Sequence, residues 1–143
     1  DTTNTNIRCN YLEKNSWADV ETLVIKAGET VGFGIGKDCA YSDTTIYHAG
    51  PGHGYLSRAP NDDLATYKGD GNWFKIKQYG VRDAKNWELN SDTHFMNFTI
   101  PKTTPPGKYL LRGEQMFGLH PGYNKTQFYH SCAHIEVVGP GGG

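Results

Sequence analysis

No run of apolar residues in this chain of 143 is long enough to cross a bilayer as a helix, so no membrane span is expected. Neither sign of charge is in excess: 14 Lys and Arg stand against 15 Asp and Glu, a formal net charge of -1. The electrostatic footprint of a nucleic-acid binder or of a protein drawn to anionic lipid is therefore missing, and neither partner is expected. The opening "DTTNTNIRCN" has neither the basic nor the hydrophobic part of a secretion signal, which reads as a chain already processed or cut from something longer. Cysteine is scarce. Cys9, Cys39 and Cys132 form no Cys-x-x-Cys pair, which argues against a thiolate zinc site, and their odd number leaves at least one outside any internal pairing.

Two nucleotide and hydrolase signatures are missing as well. In "GFGIGKD" the first glycine of a phosphate-cradling loop would have to stand at Val31, and Asp38 rather than Ser or Thr follows Lys37. No Gly-x-Ser-x-Gly elbow surrounds Ser57 or Ser131. Glu114 is the one acid on a strand that reads as buried, with no evident second carboxylate for a glycosidase pair.

Helical periodicity is absent, and what is present is short strands with Gly, Pro and Asn-Asp punctuation. "ETLVIKAGETVGFGIG" reads as strand, turn at Ala27-Gly28-Glu29, strand. "TTIYH" and "GYLSRA" read as strands flanking a loop "AGPGHG". "NWFKIKQYG", "THFMNFTIP", "GKYLLRGEQMFGLH" and "TQFYHSCAHIEVV" complete the series. The expectation is an all-β fold, an immunoglobulin-like antiparallel β-sandwich in one domain. Residues 1–6 read as a flexible leader, 7–138 as the sandwich, and 139–143 as a Gly-rich tail or linker start.

The polar residues of "LHPGYNKTQFYHSC" are the candidates for chemistry. Strand alternation puts Gln127 and Tyr129 on one face, where the amide can bond the phenol, and His120 arrives from the end of the preceding strand. His48, just before Gly50-Pro51, sits where a rigid turn could hold an imidazole at the rim of a sandwich. Taken singly, His48 is an ordinary loop histidine and Tyr129 a core tyrosine satisfied by a glutamine. Gathered at one point, these groups suit a transition metal. Two sequons, at Asn97 and Asn124, are glycosylation acceptors in a secreted protein.

The ordered set "IRCN", "IKAGETVGF", "HAGP", "GYLSRAP", "GNWFKI", "FTIPKTTPPGKYLLRGE", "GLH", "QFYHSC" and "IEVVGPG" covers nearly the whole chain. It resembles the fungal lytic polysaccharide monooxygenases of auxiliary activity family nine, formerly filed with the glycoside hydrolases. The resemblance implies a secreted, extracellular sandwich that presents copper at a flat face meeting cellulose or hemicellulose. There, reduced copper activates oxygen or peroxide, and hydrogen is taken from a glycosidic carbon. It implies that His48 is the second histidine of a copper-binding brace and Tyr129 the axial ligand. His120 and Gln127 match the outer-shell pair. Cys9 and Cys132 match a long-range disulfide, which the chain-entropy model values at roughly 4 to 5 kcal/mol.

The likeness departs in one respect that matters. "IRCN" lies well inside the family's mature chain, behind a histidine-bearing first strand and a substrate-facing loop, whereas here Asp1 stands close before it. Gly113 stands where the family often has histidine, and the family's usual tail and its substrate-facing aromatic are missing. The expectation is a truncated or degenerate core, with weak or no copper and impaired catalysis. A missing edge strand would also leave backbone open for self-association. The alternative is a non-catalytic secreted sandwich that binds polysaccharide or itself. An adhesion-type immunoglobulin domain ranks last, because it leaves the order of His48, Gln127 and Tyr129 unexplained.

Overall fold

Alternating apolar and polar side chains become seven strands in the computed structural model, which describes residues 4–10, 16–36, 44–118, 122 and 125–141. They are β1 (Thr22–Lys26), β2 (Thr30–Gly34), β3 (Gly52–Arg58), β4 (Phe74–Tyr79), β5 (Phe95–Thr99), β6 (Gly107–Phe117) and β7 (Gln127–Val138). One sheet runs in the order β1-β7-β6-β3-β4, and β2 pairs with β5 as the second layer. The all-β sandwich expected from the strand pattern is the fold observed. Every pairing is antiparallel except β1 with β7, which run parallel.

Between the layers lie Leu56, Leu111, Ile135 and Val137 from the large sheet and Phe98 from the small one, all at most 1% exposed. Each is worth about 1.5–3 kcal/mol of transfer free energy. Phe33 meets Phe98 edge to face, with ring centroids 5.9 Å apart. Gly54 and Gly113 make room for these rings. A Cβ at Gly54 would stand 2.2 Å from Phe98 Cδ1, and one at Gly113 3.0 Å from Phe33 Cδ2. The space at Gly113 is thus filled from the opposite layer.

Two strand assignments are corrected. "TTIYH" forms no strand: Ile46 is buried and its N–H bonds to the Thr93 carbonyl at 2.8 Å, so tertiary anchoring in a loop replaces a ladder. The segment "GHG", expected in a loop, opens β3. Gly52 and Gly54 serve there not to turn the chain but to admit Leu89 and Phe98 against the backbone.

The outer face of the large sheet is strapped by the start of the chain. Cys9 and Cys132 are joined by a disulfide. His130 Nε2–H donates to the Asn6 carbonyl at 2.6 Å, and Arg112 Nη1 donates to the Arg8 carbonyl at 3.3 Å. Arg112 is itself held between the rings of Tyr55 and Trp73, 4.6 and 4.3 Å from their centroids.

Candidate functional site

β6 ends at Phe117 and β7 begins at Gln127, and the inner face of the large sheet runs out at that rim. Pairing sets Gln127 opposite Phe117, and Tyr129 opposite Gln115. Their side chains therefore share one face. The Tyr129 hydroxyl donates to Gln127 Oε1. Tyr129 is 44% exposed, so it is a rim residue and not a core tyrosine that merely satisfies its hydroxyl.

The loop that carries His48 is fastened to the same rim at several points. The buried Gln115 side chain donates its amide to the His48 carbonyl. Met116 N–H bonds to the Pro51 carbonyl at 2.9 Å, and Gly50 N–H to that of Leu89 at 3.2 Å. Gly50 is required here, since a Cβ would fall 1.9 Å from the Met116 carbonyl oxygen. So held, the His48 ring stacks on Phe117 with centroids 4.1 Å apart and planes 23° apart. It lies 5.6 Å from the Tyr129 ring at 27°. Tyr47 meets its edge at 4.8 Å and is itself 81% exposed.

His48, Gln127 and Tyr129 are thus brought together. His120 and Asn124, with Cys39, lie outside the described residues. Asn97 is elsewhere, exposed on β5. Glu114 points to the other face of the sheet, where Oε1 is 3.4 Å from His53 Nδ1, and takes no part at this rim. The sequence reading missed Gln115 and Phe117. The available signal was a polar residue at an inward position of β6, two places after Gly113 and four after Leu111.

The donor chemistry can be tested against copper. An imidazole suits the metal, while a phenol that keeps its O–H, donated in a hydrogen bond to Gln127 Oε1, is a weak donor. Among the described residues no group of three His, Cys, Asp or Glu side chains is arranged to hold an ion. The described residues therefore fit one side of a copper centre and do not by themselves close one.

The family model of Auxiliary Activity family 9 (formerly GH61) matches residues 1–143. "AA9 family lytic polysaccharide monooxygenase U" of Thermothielavioides terrestris is 48% identical over 143 residues, which are 100% of this chain and 54% of that protein. A cellulose-active polysaccharide monooxygenase from M. thermophila superposes with a TM-score of 0.71 at 26% identity, over 96% of this chain and 61% of its own. Cel61B from Hypocrea jecorina, a glycoside hydrolase family 61 member, has a TM-score of 0.78 at 23% identity, over 96% and 59%, a likeness of fold. The chain spans about half the length of the curated relatives it matches.

Proposed function

The chain belongs to Auxiliary Activity family 9, and on that premise we propose that it is the sandwich core of a secreted, copper-dependent lytic polysaccharide monooxygenase. His48 would supply the metal-binding imidazole and Tyr129 a phenol oxygen to the copper, with Gln127 and, from the family resemblance, His120 as the accompanying polar pair. The family is copper-dependent and acts on polysaccharides such as cellulose. When bound, copper supplies the redox chemistry. The observation that carries the reading is His48 pinned by Gln115 within 5.6 Å of the Tyr129 ring, whose hydroxyl is bonded to Gln127. The Cys9–Cys132 disulfide supports an oxidising compartment.

In this reading residues 1–143 taken alone form an incomplete brace: they hold copper weakly and oxidise polysaccharide poorly. Swollen cellulose and xylan, incubated with the chain, copper and a reductant, test it by mass spectrometry of the soluble oligosaccharides. Oxidised products at background level are expected, and abundant copper-dependent oxidation would overturn the impaired reading.

A second reading, a non-catalytic sandwich that binds polysaccharide or itself, is favoured by the edge strand β1, whose Leu23 and Val24 are exposed. Pull-down on cellulose and xylan without copper, together with solution sizing, separates the two. A monomer that binds neither glycan removes this reading.

A further inference from the structure

Phe95, Asn97 and Thr99 alternate along β5, and all three face solvent. Opposite them on β2 stand Gly34, Gly32 and Thr30. A Cβ at Gly34 would lie 2.9 Å from Phe95 Cε1, and one at Gly32 2.3 Å from Asn97 Oδ1. The two glycines are what allow the ring and the amide to lean over β2. Meanwhile Tyr79 donates its hydroxyl to the Asn97 carbonyl and fixes the backbone at that residue. The Asn97 side-chain amide takes part in no hydrogen bond among the described residues. Oδ1 is the atom of the Asn97 amide nearest Gly32. Beside it the Phe95 ring is 61% exposed among the described residues, a large apolar surface.

We propose that Asn97 carries an N-linked glycan and that Phe95 is the platform on which its first N-acetylglucosamine rests. Residues two apart on a strand are about 7 Å from each other on one face. A sugar attached at Asn97 can therefore lie over Phe95, its C–H bonds against the electron-rich face of the ring. Thr99 completes the acceptor triplet from the other side. The second sequon lacks this arrangement, since the residue two before Asn124 is Gly122. The co-reactant is an oligosaccharide carried on a polyprenyl pyrophosphate. Asn97 Nδ2 attacks its anomeric carbon, the C–N bond forms as the bond to the pyrophosphate oxygen breaks, one amide proton is lost, and the lipid pyrophosphate leaves with the electron pair. No oxidation occurs.

The inference rests on the secreted part of the proposed function and not on copper, so it fails independently of the redox reading. The test is secretion of the chain from a eukaryotic host as wild type and as Phe95→Ala, an exposed change that leaves the core intact. Release of the sugar by peptide N-glycosidase in heavy-oxygen water marks each occupied asparagine for mass spectrometry, and thermal midpoints are read before and after. Asn97 is expected to be marked. Removing its glycan is expected to lower the wild-type midpoint by about 2–4 °C, and the Phe95→Ala midpoint by less than half as much. An unmarked Asn97 in the secreted protein overturns the site, and equal midpoint shifts in the two proteins overturn the platform.

Discussion

The Gln115 side-chain amide donates to the main-chain carbonyl of His48, so a residue in the middle of the large sheet sets the position of the loop at its rim. Gln115 is buried and lies opposite Tyr129 in the ladder. One side chain therefore relates the imidazole to the phenol. Replacing it by leucine leaves the His48 carbonyl without its partner, at a cost of about 1–3 kcal/mol. Urea unfolding of Gln115→Leu should show that loss. Copper(II) uptake at His48 should weaken with it, and an unchanged midpoint would show that the bond does not hold the loop.

The Cys9–Cys132 disulfide joins residues 123 apart in sequence, a closure the chain-entropy model values at about 5 kcal/mol. Reduction should therefore cost about 2–5 kcal/mol, read as a lower urea midpoint in the presence of dithiothreitol. Hydrogen exchange should rise first at residues 4–10, because the His130–Asn6 and Arg112–Arg8 hydrogen bonds are side-chain hydrogen bonds that tie this segment to the large sheet among the described residues.

Burial holds the His134 imidazole below its ordinary pKa of 6.5. Above pH 6.5 the ring is neutral in both the folded and the unfolded chain. Between 6.5 and the lower folded value only the unfolded chain takes up the proton. Stability from this group is thus complete above the unfolded pKa and lost as pH falls through it, levelling off below the folded one. His134→Leu should flatten the pH dependence of the urea midpoint over that window, and an unchanged slope would assign the dependence to other groups.

Much of this was legible in the sequence because strand period and burial agree along β6 and β7. The alternation that put Gln127 and Tyr129 on one face, able to bond, is the one seen. The segment from Thr44 to His48 was misread because its β-branched residues serve burial of Ile46 under a loop. Residues 52–54 were misread because glycine signals close packing there as readily as a turn. Gln115 and Phe117 went unseen for another reason. Their partner is His48, 67 residues from Gln115, and only the closed sandwich brings that loop to the end of β6.

The most direct test of the account is electron paramagnetic resonance of residues 1–143 with one equivalent of copper(II), beside His48→Ala. The account predicts weak binding, with at most one coupled imidazole nitrogen that disappears in His48→Ala. A tight axial spectrum with three coupled nitrogens, supplied by this chain alone, would contradict it.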